Sequence, residues 1–329
     1  MKHFIKSAGL FVCLGLFASA CGSNNSVSLD TSSDSDTPRI VVTTSIWGDV
    51  VSNVACDEIA EVIVVMPAGS DPHTFELSLT DRKLMEEADL VVSNGLFLEE
   101  GLVPALEELE SEGKLMFQFS DHVELLPYSE NKDEHDEHDE DEHDEDELSH
   151  KHGENDPHIW LDPALVSEAL DNLAIVLKDD LNLDATKVDD CVGDYQNLLA
   201  DTDSEIINLT EQLNPEDKKL ITNHDAFSYY AKKYDFEIVG VVIPAPSELA
   251  ETNPAQLQEL ADLIRNENIK AIFAESQHSD NDAQALANEI GNVEVVTLYS
   301  GSLGESGSGA DTYLGYLETN TNLIYEALA

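Results

Sequence analysis

Three of the eleven histidines stand where a sheet could deliver them to a common point: His73 in MPAGSDPHTFELS, His158 in NDPHIWLDP and His224 in LITNHDAF. His73 directly follows an apolar β-rich run, and His224 occupies a strand-to-helix turn. A lone loop histidine is usually a hydrogen-bonded surface residue, but two of these repeat the triplet Asp-Pro-His, whose proline fixes φ and favours an extended entry to the imidazole. Imidazole nitrogen is a preferred ligand of Zn²⁺, and three of them with one oxygen or water complete a tetrahedron. Carboxylates commonly orient such rings by accepting the second N–H, and Asp71, Asp156 and Asp225 are the sequence neighbours suited to it. A metal-activated water could in principle hydrolyse a substrate, but the chain has neither HExxH nor GxSxG, so no enzyme is expected.

These residues need a scaffold, and the chain alternates short apolar runs with helical stretches. IVVTTSI (40–46), EIAEVIVV, DLVVSNG and KLMFQF read as strands, separated by the helical WGDVVSNVA, TDRKLMEEA opening at Thr80, and LVPALEELES. The rhythm returns in KLITN (219–223), DAFSYYAKKY, FEIVGVVI, PAQLQELADLIRNEN, AIFAES, NDAQALANEIG and VEVVTLY. Such spacing gives parallel β-α-β units whose strands are nearly all apolar, because helices cover both faces. Between them, Val188, Val192, Tyr195, Leu199, Ile206, Leu209 and Leu213 share one face of a helix over 185–213. The expected fold class is α/β: two Rossmann-like lobes with parallel sheets, 39–184 and 214–329, joined by one long connecting helix. Ligands gather beyond the carboxyl ends of such strands, which places a metal cleft between the lobes.

The 329 residues suit about two domains of roughly 150 each. With 68 acids against 16 bases and a net charge of −52, nucleic acid is excluded as a partner and cations are favoured. The block 133–147 holds only 12 of those acids, so the whole surface is acidic, as in chains adapted to a salty medium. At the start, Lys2 and Lys6 precede a 13-residue apolar run from Ala8 to Ala20, which reads as a signal peptide over 1–20. That run is too short for a membrane span of about 20 residues. Ala18, Ser19 and Ala20 before Cys21 resemble the lipobox of bacterial lipoproteins, in which the Cys is acylated; 21–38 would then be the lipidated Cys with a Ser-rich flexible tether. Cys13 leaves with the signal, so Cys56 and Cys191 remain, either paired in a disulfide outside the cytoplasm or buried separately as thiols.

DPHTFELS, DPHIWLDP and TNHDAFSYYAKKY together resemble the signature segments of the cluster A-I (cluster 9) metal-binding lipoproteins, the solute-binding subunits of ABC importers for zinc or manganese. The resemblance extends through SIWGDVV, ADLVVSNG, FAES and DTYLGYLETN, nearly the whole mature chain. It implies a metal held by His73 and His158 of the first lobe and His224 of the second. The fourth position stays open: Gly301 stands where many members have a carboxylate, leaving water, Glu305, Glu275 or a residue of the acidic loop. Manganese members replace the third histidine by Glu, so His224 favours Zn²⁺ as the transported ligand. The alternatives are a manganese-binding member of the same family and a metal-dependent surface adhesin. The segment 129–155, with His135, His138, His143, His150 and His152, matches the His- and acid-rich loop typical of zinc members. Its charge forbids a packed core, so it is expected to be disordered without metal and to collect cations as an auxiliary metal loop. The implied partners are a permease, an ATPase and a membrane reached through the lipid anchor; the expected protein is a monomer on the outer face of the cell membrane, or periplasmic.

Overall fold

The computed structural model describes residues 37–56, 59–128, 155–243 and 254–329. The signal segment, Cys21 and the five histidines of the acidic loop lie outside the described residues.

Two four-stranded parallel sheets organise the chain. The first is built from β1 (Arg39–Val42), β2 (Glu61–Val64), β3 (Leu90–Ser93) and β4 (Met116–Gln118) in the order β2-β1-β3-β4. The second repeats that order with β5 (Lys219–Thr222), β6 (Glu237–Val241), β7 (Ala271–Glu275) and β8 (Glu294–Leu298), as β6-β5-β7-β8. In each, the second and third strands flank the first on opposite sides, so the strand order reverses there and opens a crevice at the carboxyl ends. Each crossover carries a helix: α1 (Ser45–Val54), α2 (Leu79–Glu87) and α3 (Val103–Ser111) in the first unit. In the second unit they are α6 (Ser228–Tyr234), α7 (Pro254–Glu267) and α8 (Asn281–Ile290). The interior strands β1, β3 and β7 are buried almost throughout, whereas the edge strands β2 and β6 are half-exposed. The uniformly apolar strand expected from sequence is therefore a property of the sheet interior.

Local chemistry shifts several boundaries. β1 stops at Val42, short of the predicted 46, because the Thr44 side chain accepts from the Trp47 N–H and starts α1 at Ser45. α2 begins one residue before Thr80, behind a capping box between Ser78 and Asp81. α6 is shorter than DAFSYYAKKY, since the Ala226 N–H turns back to the His224 carbonyl and frees 224–227 from the helix. Two helices lie outside the alternation read from sequence: α4 (Pro163–Asp179), capped by Asp162 with proline in its first turn, and α9 (Tyr313–Leu328), capped by Thr312.

The long helix α5 runs from Ala185 to Thr210, capped by Asp184, and packs against α4, α9 and α1. Cys56, just after α1, is disulfide-bonded to Cys191 on α5, with their Cα atoms 6.0 Å apart. One buried apolar cluster passes without interruption from Ile40, Trp47 and Leu90 of the first unit through Trp160 and Tyr195 to Leu220, Phe273 and Tyr313 of the second. At its centre Trp47 stacks on Phe119 with ring centroids 3.7 Å apart, and its indole N–H donates to Asn94 Oδ1 at 3.0 Å.

Candidate metal centre

The two Asp-Pro-His triplets make the same local bond. Asp71 Oδ1 accepts the backbone N–H of His73 at 3.0 Å, and Asp156 Oδ1 that of His158 at 2.9 Å. Each is an aspartate folding onto the N–H two residues on, across a proline that has none to offer. His73 thus sits on the loop after β2, and His158 on the segment entering α4. His224 follows β5, its carbonyl accepting from Thr222 Oγ1 at 2.8 Å.

All three rings are buried, at 6%, 1% and 2% exposure for His73, His158 and His224. His158 lies in the middle: its Nε2 is 3.4 Å from His73 Nε2 and 3.2 Å from His224 Nε2. Each ring also has a carboxylate on its other nitrogen. Asp156 Oδ1 is 2.7 Å from His158 Nδ1, Glu275 Oε1 is 2.5 Å from His224 Nδ1, and Glu100 Oε1 is 3.6 Å from His73 Nδ1. A carboxylate in its ionised form only accepts, so in that form Asp156 and Glu275 place the proton on Nδ1 and leave the Nε2 lone pairs of His158 and His224 facing inward. Inward-facing lone pairs at this distance are a ready donor set for a cation.

Burial holds His158 well below its usual pKa, and positive charge on His224 and His73 lowers it further. Burial likewise pushes Asp156 up to about 7, against the opposing pull of the His158 backbone N–H and of His224. Both shifts have the same cause, since burial penalises the charged form of each group.

The rest of the shell is firm. Asn94 Nδ2 donates to the Pro157 carbonyl at 3.0 Å, and Tyr229 Oη to the Asp156 carbonyl at 3.0 Å. Trp160 stands edge-on to His158, ring centroids 5.3 Å apart, and its N–H donates to the Ser300 carbonyl at 3.0 Å. Of the three aspartates considered from sequence as ring partners, only Asp156 holds its ring. Asp71 is engaged by the His73 backbone and by Thr74 Oγ1, and Asp225 accepts from Ser228 Oγ at 3.1 Å. Glu275, considered from sequence only as a fourth ligand, is instead the ring partner of His224 at the end of β7, and Glu100, which sequence reasoning passed over, lies beyond β3; carboxyl-end placement marks both as candidates. Both Glu275 oxygens are occupied, one by His224 and one by Ser300 Oγ, and Glu305 is exposed. Among the described residues His73, His158 and His224 form the one group of three donors that could hold a metal ion.

Two parallel-sheet domains closing on a buried donor set are the architecture of the TroA-like periplasmic binding proteins. The solved structure of the periplasmic zinc-binding protein TroA from Treponema pallidum aligns with a TM-score of 0.75 at 28% identity, covering 89% of this chain and 99% of that one. Residues 40–327 match the zinc-uptake complex component A (periplasmic) family, ZnuA, and the chain belongs to that family. It is 30% identical over 331 residues to the high-affinity zinc uptake system protein ZnuA of Bacillus subtilis (strain 168), covering 99% of this chain and 98% of the other. It is 26% identical over 324 residues to the manganese-binding lipoprotein MntA of Halalkalibacterium halodurans, covering 97% of each. These relatives are solute-binding proteins rather than enzymes.

Proposed function

We propose that this protein captures Zn²⁺ outside the cytoplasm between His73, His158 and His224 and passes it to a membrane permease. Membership of the ZnuA family makes the chain the substrate-binding component of a metal ABC importer, whose other parts are a permease and an ATPase. The observation that carries the zinc reading is the convergence of three Nε2 atoms at 3.4 and 3.2 Å around His158. A tetrahedral ion with Zn–N bonds of about 2.0–2.1 Å sets its donors roughly 3.3–3.4 Å apart, close to both separations. Three imidazoles without a carboxylate among them suit zinc better than the harder manganese. A dication there also supplies the positive charge that Asp156, Glu275 and Glu100 are placed to balance.

Capture needs no bond making beyond coordination. The buried rings present neutral Nε2 donors, the acidic surface raises the local cation concentration, and water completes the coordination sphere. Lipid attachment at Cys21 and cation collection by the loop histidines between 135 and 152 complete the reading; relatives named as lipoproteins support the anchor. Competition titration of metal-stripped protein against a chromophoric chelator tests the metal: one tight Zn²⁺ equivalent that disappears in His158→Ala is expected. Tighter binding of Mn²⁺ than of Zn²⁺ would overturn the zinc assignment.

A further inference from the structure

His158 is the central ring of the three, and a residue that packs on it is held by a helix that brings no ligand of its own. Trp160 lies two residues past His158, edge-on to its ring, and α9 reaches it at both ends. The Tyr313 hydroxyl donates to the Trp160 carbonyl at 2.5 Å. The Trp160 indole N–H is shared between the Ser300 carbonyl at 3.0 Å and Tyr316 Oη at 3.1 Å, and the Tyr316 hydroxyl donates to that same carbonyl at 2.7 Å. Tyr313 and Tyr316 are three residues apart on α9, so they share a face of it, and their rings stack with centroids 6.3 Å apart.

The local chain cannot replace this hold. Pro163 has no N–H to return to the Trp160 carbonyl, and the Ala164 N–H goes to Asp162 Oδ1 at 2.9 Å, which leaves that carbonyl to a donor from elsewhere. Tyr313 and Tyr316 are fully buried and Trp160 is 1% exposed, so water does not compete for these bonds. Burial also raises the pKa of both phenols, so each keeps the proton it donates. The Ser300 hydroxyl in turn donates to Glu275, the partner of the His224 ring. Ser300 therefore ties the support of His158 to the support of His224.

We propose that Tyr313 and Tyr316 are positioning residues for the metal site: their hydroxyls fix Trp160 and, through it, the orientation of the His158 ring whose Nε2 faces both other imidazoles. This inference rests on the reading of His73, His158 and His224 as the metal donors. It extends the apparatus that holds the ion to α9, which acts through Trp160 and not on an imidazole.

The test removes both hydroxyls and keeps the rings, as Tyr313→Phe combined with Tyr316→Phe in the full chain. Zinc affinity is read by chelator competition well below the melting midpoint. NMR of the histidine ring nitrogens, assigned against His158→Ala, reads the His158 environment, and metal-free melting reads stability. Tyr230→Phe is the matched control, since it removes a buried hydroxyl that bonds Thr321 of α9 at 3.1 Å. The double variant should bind zinc about tenfold more weakly, the lower end of the range for groups that orient metal-bound histidines, and its His158 nitrogen signals should move. Tyr230→Phe should lower the melting temperature and leave zinc affinity and the His158 signals as in wild type. Wild-type affinity in the double variant, or His158 signals that do not move, overturns the inference whatever the melting temperature, as does an equal loss of affinity in Tyr230→Phe. Should the double variant not fold, Tyr316→Phe alone carries the test, because Trp160 keeps its bond to Ser300. There a loss of about threefold with moved His158 signals supports the inference, and wild-type behaviour overturns it. Wild-type protein that takes up no zinc, or whose His158 nitrogens ignore it, defeats the metal reading itself and is distinguishable from all of these.

Discussion

Glu275 Oε1 receives both the backbone N–H and the Nδ1–H of His224, at 3.2 and 2.5 Å, so a single carboxylate oxygen fixes where that ring stands and which nitrogen carries its proton. Glu275→Gln keeps the size and loses the charge. Zinc affinity should fall about 10- to 100-fold, as for other partners of metal-bound histidines, with one binding equivalent retained. Chelator competition measures it, and an unchanged affinity would show that the ring is held by packing alone.

Trp160 is one of two tryptophans in the chain, and it is the one in edge contact with His158. Charge arriving at His158 alters the field across the indole, so zinc should change the emission of a Trp47→Phe variant and leave that of Trp160→Phe nearly flat. Emission from Trp47→Phe that ignores zinc would place the ion elsewhere.

Glu99 is 1% exposed and accepts from Thr43 Oγ1 at 2.7 Å and the Asn94 N–H at 2.8 Å. Burial raises its pKa above the ordinary 4.5, against the opposing effect of those two donors. The folded state therefore binds the proton more tightly than the unfolded state, so this group's stabilisation is present below 4.5 and is lost as pH rises through the folded pKa. The melting temperature of Glu99→Gln minus that of wild type should be flat below pH 4.5 and climb above it. A difference that stays level across that window contradicts the assignment.

A net charge of −52 repels itself across the whole surface. Sodium chloride raised from about 0.1 to 1 M shortens the screening length from roughly 10 to 3 Å, and the metal-free melting temperature should rise with it. Calorimetry in a salt series checks this. A salt-independent midpoint would mean that the acids are compensated locally.

What could be read from sequence follows the range of the interactions involved. His73 and His158 were legible because an Asp-Pro-His triplet builds its own turn: the bond from each aspartate spans two residues. Glu275 and His224 are 51 residues apart and meet only because β7 lies beside β5, so nothing near either one announces the pair. The sheets were legible through their apolar interior strands. β2 and β6 fit less well, because an edge strand need not hide both faces. The first and last turns of α1, α2 and α6 depended on single hydroxyl or carbonyl contacts finer than any periodicity.

The apolar cluster running from Ile40 to Tyr313 binds the two sheets into one cooperative body. A gene fragment encoding either sheet alone would leave half an interior facing water, and the intact chain should melt in a single step, however separate its two cradles look in outline.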